Sequence, residues 1–156
     1  MNLFVLDRDP VVAARWHCDR HVVKMTLESA QILCSAAHLL GQKAPYRPTH
    51  LQHPCVRWAA ATRGNWRWTV RLGLALAAEY ERRYGRTHKS LAVLRWADKP
   101  GVGPPAASGR RRKFAMALPE QYQSADPVAS YRAYYLGEKA SFATWRAPAG
   151  PPPWWR

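Results

Sequence analysis

The stretch HCDRHVVKMTLESAQ, His17–Gln31, decides the fold. Taken in alternating steps of four and three, it places His17, His21, Lys24, Glu28, Gln31, Ser35 and His38 on one stripe, because residues so spaced stack on one helix face. Val22, Met25, Ser29, Ile32, Ala36 and Leu40 make an adjoining apolar stripe. The spacing predicts a long helix from Arg20 to about Leu40, restarted by Asp19 and stopped by Gly41. Solvated faces are usually laced with Glu and Lys in the favourable order. Three imidazoles, an amide and a lysine ahead of its glutamate mark this stripe as a candidate functional face instead.

Helical signals continue outward from this stretch. Asp9-Pro10 and Asp126-Pro127 both have the form of an N-cap followed by proline at the first helical position. A short helix is expected from Pro10 to about His17, and a longer one from Pro127 through VASYRAYYLGEKASFATW. Pro54 opens a third, PCVRWAAAT. Asn65–Tyr84 is expected as a buried central helix, since its apolar residues run nearly all the way round, and Gly85 ends it. A shorter helix covers Ser90–Ala97. NLFVL, residues 2–6, is the one short extended segment. The fold class is therefore all-α, a single domain over residues 1–146, followed by an extended Pro/Trp-rich tail, 147–156, anchored by Trp154 and Trp155. The Pro- and Gly-rich segment 99–113 is expected to be a mobile basic loop.

At 156 residues the chain can bury a real core. It has no apolar run of membrane-spanning length. MNLFVLDRDP lacks the basic start of a secretory signal, which leads to the expectation of a cytoplasmic protein. Cys18, Cys34 and Cys55 show no CxxC spacing and are expected as reduced thiols.

Charge is the strongest global signal. There are 24 Lys plus Arg against 10 Asp plus Glu, a net +14, with arginine far in excess. Such a surface attracts polyanions, and arginine suits bidentate phosphate contacts. The expected partner is nucleic acid, most of all double-stranded DNA, with neither a membrane nor a protein partner. Arg110, Arg111, Arg112 and Lys113 are the candidate contacts to its backbone. Arg8, Arg20, His88 and Lys89 are further candidates, as are His50 and His53 in the proline-framed loop QKAPYRPTHLQHP, Gln42–Pro54. Trp66 and Trp68 belong to the buried helix, which leaves Trp58 as the candidate for stacking on a base.

Glu28, flanked by His21, Lys24 and Gln31, is placed to act as a general base or to stabilise a cation. The pairs His17/His21 and His50/His53 have spacings that can hold a divalent metal, yet no HExxH or CxxC element backs them. No metal or cofactor is expected. The chain has no phosphate-binding glycine loop, dinucleotide fingerprint or GxSxG elbow, which argues against kinases, dehydrogenases and the usual hydrolases.

The segments MNLFVLD, VVKMTLESAQIL and HPCVRWAAATRGNWRWTVRLGLALAAEYERRYGRTHKS together resemble the small all-helical pyrimidine-dimer DNA glycosylases with AP-lyase activity, the phage endonuclease V type and its bacterial relatives. The whole chain is also similar to uncharacterised phage-encoded proteins with a CDxHVVKM box. The first resemblance covers about half of the chain. It implies an α-amino group that attacks a sugar C1′ to form a Schiff base, a helix glutamate that assists, and basic residues that clamp a kinked duplex with a base flipped out. Carried over by position, the amine is that of Met1 and the glutamate is Glu28. An α-amine suits the task, because its ordinary pKa of about 8 leaves some free base at neutral pH. Asn2 follows Met1, so the methionine is expected to stay. The HCDRHVVK box and the His50–His53 loop lie outside the resemblance. They leave open a base-modifying enzyme with a His/Glu site, with or without metal, and a non-enzymatic nucleic-acid-binding protein.

Overall fold

The computed structural model describes all 156 residues and contains helices and no strand. Helix α1 spans Pro10–Trp16, α2 Asp19–Leu39, α3 Pro54–Ala61, α4 Arg63–Tyr84, α5 Leu91–Ala97 and α6 Pro127–Glu138. Short 3-10 turns occur at Ala106–Ser108 and Glu120–Tyr122. No helix is long and apolar enough to cross a membrane.

The caps explain the boundaries. The Asp9 carboxylate accepts from the amides of Val11 and Val12, and the Asp126 carboxylate from that of Val128, each with proline at the next position. Thr62 breaks the chain between α3 and α4, its hydroxyl accepting from the Asn65 amide, so α4 starts at Arg63 and not at Asn65. Gly85 closes α4 at a φ of 68°, in the left-handed region that glycine occupies without strain. Helix α6 is shorter than its periodicity predicts. Beyond Glu138 the chain is drawn to the start of α2: the Asp19 carboxylate accepts from the Thr144 hydroxyl and the Arg146 amide, and the Asp19 amide donates to the Thr144 carbonyl.

Helix α4 packs against α1, α2, α3 and α5. It is central, as its composition suggests, and it keeps a wet stripe at Arg67, Arg71, Ala78 and Arg82. The unexpected element is the N-terminal segment. Residues 2–6 form no strand, yet all five are buried. Without a sheet partner, several of their polar groups are met by side chains: Glu28 and Asn2 accept amides at the start, and the Arg132 guanidinium donates to the Leu6 carbonyl.

Two segments lie at the periphery. The tail does lie along the domain, Trp154 packing edge-on to Trp16 and Tyr135. Segment 99–113 is not free. The Gln42 side chain holds it at Gly101 and Gly103, and the α3–α4 junction holds it at Ser108, Gly109 and Arg112. A Cβ on Gly103 would run into the Trp66 indole.

Candidate functional site

Burial of residues 2–6 carries the chain's amino end onto the middle of α2. The Met1 amine lies 4.0 Å from Oε2 of Glu28. The Asn2 amide donates to that same oxygen at 3.0 Å. Lys24, one turn earlier, brings its ammonium to 3.7 Å from the other oxygen, Oε1. The Met1 side chain is only 5% exposed although the residue as a whole is half-buried, so its exposed area lies on the backbone end. The Glu28 carboxylate is thus enclosed on the protein side and bordered by two cations.

Asn2 fixes this end of the chain, and its role is invisible in the sequence. Its side-chain amide donates to the Ala117 carbonyl at 2.7 Å. Its Oδ1 accepts from the Tyr131 hydroxyl at 2.9 Å and from the Leu3 amide at 2.8 Å. Burial pushes the Tyr131 phenol well up and the Cys55 thiol up to about 11. Both stay protonated at neutral pH, so Cys55, near the amine, is a poor nucleophile.

His53 completes the cluster. As N-cap of α3 it accepts the Cys55 amide on Nδ1 at 3.1 Å, which leaves the ring proton on Nε2. The ring lies close enough to the amino terminus to feel its charge. Burial, and then the positive charge of the amino terminus, lowers its pKa. His50, next to it, is exposed, with a φ of 50° and its Nδ1 2.6 Å from the Thr49 hydroxyl.

Other residues of the stripe go elsewhere, because a shared face does not reveal what covers it. His17 and His21 are core residues, not cleft residues. Phe4 lies 4.6 Å from the His21 ring, with Tyr135 and Phe142 on its other sides, and His17 is fully buried beyond it. Burial lowers the pKa of His17 to about 4 and that of His21 to about 3. Ser35 accepts the Thr49 amide, and His38 pairs with the Tyr46 carbonyl. Gln31 is half-buried. The stripe is a seam along which the N-terminal segment and the 42–53 loop dock. No group of three or more His, Cys, Asp or Glu is placed to share a metal ion: His17 and His21 lie in the core, His53 is half-buried beside Met1 and His50 is exposed.

Trp58 is not an open stacking platform. It is 8% exposed, covered by Trp68 and Phe114, with its indole N–H donating to the Lys113 carbonyl. His88 is committed as well, because Nδ1 accepts the Ser90 amide and Nε2 therefore faces the Val23 carbonyl as donor. Its neighbour Lys89 is exposed, and both line a groove of about 740 Å³ that Lys24 also borders. Arg20 lies over the Phe142 ring at 4.5 Å. Arg8 meets Arg111, Arg112 and Lys113 around a separate cavity, and Arg110 is exposed beside them.

Comparison of the chain with protein-family models, with curated proteins and with solved structures gives no match. The chemistry of Met1, Lys24, Glu28 and His53 must carry the functional argument.

Proposed function

We propose that the chain is a DNA base-excision enzyme, a glycosylase with AP-lyase activity on damaged or modified bases, with the Met1 amine as nucleophile and Glu28 as its acid–base partner. One observation carries this reading: the amino terminus lies 4.0 Å from a buried carboxylate. Chain ends usually lie at the surface and are poorly ordered. Holding one at a glutamate by means of five buried residues makes sense for an amine that has to react.

In the proposed sequence the amine, as free base, attacks C1′ of the target nucleotide. The bond from C1′ to the base breaks and the base leaves with a proton. Opening of the sugar ring gives a protonated imine between Met1 and C1′. Glu28 takes the proton from C2′, the C3′–O bond breaks, and the downstream strand departs with its 5′ phosphate, leaving an unsaturated sugar on the imine. Water then hydrolyses the imine and restores the amine. Lys24 neutralises Oε1 and leaves Oε2, the oxygen nearest the amine, to move protons. The net +14 supports a nucleic-acid substrate.

Borohydride trapping tests the proposal. Duplexes carrying an abasic site, uracil or a pyrimidine dimer are incubated with the protein, reductant is added, and a covalent band is sought. The expected band maps to the Met1 amine and vanishes when two residues are added ahead of Met1. No band on any substrate would overturn the reading.

A further inference from the structure

A second cationic cluster stands apart from the Met1–Glu28 site and shares no residue with it. Arg8, from the turn before α1, faces Arg111, Arg112 and Lys113 around a cavity of about 270 Å³. Four cations there meet one carboxylate, that of Asp126, which stands 3.8 Å from the Arg8 guanidinium and is already engaged in capping α6. Like charges so crowded favour an anion between them. Burial, and then the charge of Arg8, lowers the pKa of the Arg111 guanidinium.

A basic run in a Pro/Gly-rich loop is ordinarily a solvated, mobile face. This one is built. The Gly64 amide donates to the Gly109 carbonyl at 3.0 Å, the Arg112 amide donates to Asn65 Oδ1 at 2.8 Å, and the Lys113 carbonyl accepts the Trp58 indole at 2.7 Å. Between these ties the backbone of Arg111 lies so close to Gly64 that any Cβ there would overlap it. The Arg111 guanidinium is laid over the Phe114 ring at 4.2 Å, and that ring is itself wedged against Trp58 and Trp68. Backbone ties at the α3–α4 junction therefore fix the run while its charged side chains stay outside. The backbone of the run and the Arg111 side chain are thus placed before any ligand arrives, which lowers the cost of binding.

We propose that Arg8, Arg111, Arg112 and Lys113 form a preorganised cradle for phosphodiester groups of the bound nucleic acid, with Gly64 and Asn65 as its positioning residues. The cradle shares with the excision reading only the nucleic-acid partner. It holds the duplex at a second place and takes no part in chemistry.

Binding of an undamaged duplex, followed against salt concentration, tests this without any reaction. Each lost phosphate contact should lower the slope of log K against log salt by about 0.9. Arg8→Gln, Arg111→Gln and Lys113→Gln are expected to do so, whereas Arg71→Gln, an equal charge change on the wet stripe of α4, leaves the slope unchanged. Gly64→Ala alters no charge, yet is expected to lower affinity several-fold by displacing the run, with the helical signal in circular dichroism retained. Equal slope losses in all four charge variants would overturn the cradle in favour of diffuse charge. Pyrophosphate forms the second arm. Stabilisation of the wild type by pyrophosphate, lost in Arg8→Gln while the duplex slopes of the cradle variants match the wild type, would assign the site to free phosphates and overturn the proposal. Trapping at Met1 can succeed or fail independently of either result.

Discussion

Oε2 of Glu28 faces two nitrogens from adjacent residues, pairing with the Met1 amine at 4.0 Å and accepting a hydrogen bond from the Asn2 amide at 3.0 Å. The second contact makes the first possible, because a backbone amide cannot swing away as a free terminus can. Loss of the charge on Glu28 therefore separates positioning from proton transfer. In Glu28→Gln the side-chain oxygen still accepts the Asn2 amide, so fold and N-terminal placement are expected to persist. Turnover on an abasic duplex is expected to fall by about 10²–10⁴-fold, the usual contribution of a general base. Thermal melts and single-turnover strand cleavage check the two halves; cleavage at the wild-type rate would exclude Glu28 from the chemistry.

His17 and His21 make stability depend on acidity. Their folded pKa values, about 4 and about 3, lie below the ordinary 6.5, so the unfolded chain takes up protons that the folded chain refuses. Stability is complete above pH 6.5 and declines as the pH falls toward the folded values. The expected loss is on the order of 2–3 kcal/mol for each ring by about pH 4.5. Urea midpoints across this range measure it. Replacing His21 by Phe, among Phe4, Tyr135 and Phe142, should flatten the dependence by about half and remove a buried Nδ1 that has no partner. An unchanged slope would show that His21 does not titrate as its burial requires.

Much of the fold is legible because its signals are local. Asp9-Pro10 and Asp126-Pro127 announce helix starts, Gly85 announces a stop, and the 3.6-residue period does the rest. The site is legible only in part. Glu28 and Lys24 stand out on α2, and the resemblance to excision enzymes points to Met1. Nothing local in NLFVL says that it crosses the core without a sheet, and that path both buries His17 and His21 and makes Asn2 a structural pin. Helical spacing groups side chains on a face but leaves unstated what will pack on it. The ties of segment 99–113 are hidden for a similar reason, since they reach Gln42 and the α3–α4 junction, 45 or more positions away in the chain.

Arg83 stands in the last turn of α4, where the helix dipole favours a cation, and it has a further task. Its side chain is fully buried, donating to the Arg15 and His17 carbonyls and pairing with Asp19 and Glu79. One guanidinium thereby ties the end of α1 and the start of α2 to the last turn of α4. Arg83→Ala takes the donor from two carbonyls and the buried cation from Asp19 and Glu79, which keep only Thr144, Arg146 and Arg82 as partners, and is expected to cost about 3 kcal/mol. Arg83→Lys should recover only part of this, because an ammonium cannot span the same fork. Chemical denaturation of both variants measures the effect, and a loss under about 1 kcal/mol in Arg83→Ala would show that the network is not stabilising.

His53 joins structure to the proposed chemistry, and the two roles can be separated. Its Nδ1 caps α3, a contact typically worth about 1 kcal/mol, while the ring also stands beside the charged amine. Asn at this position can cap the helix but cannot supply an imidazole Nε2–H at the same reach. His53→Asn is therefore expected to keep the melting temperature near that of the wild type while slowing imine formation. His53→Ala should lose both cap and rate. If His53 places the amine, the rate of borohydride trapping falls in both variants. Wild-type trapping in His53→Asn would reduce His53 to a helix cap and leave Met1 to be positioned by Asn2 and Glu28 alone.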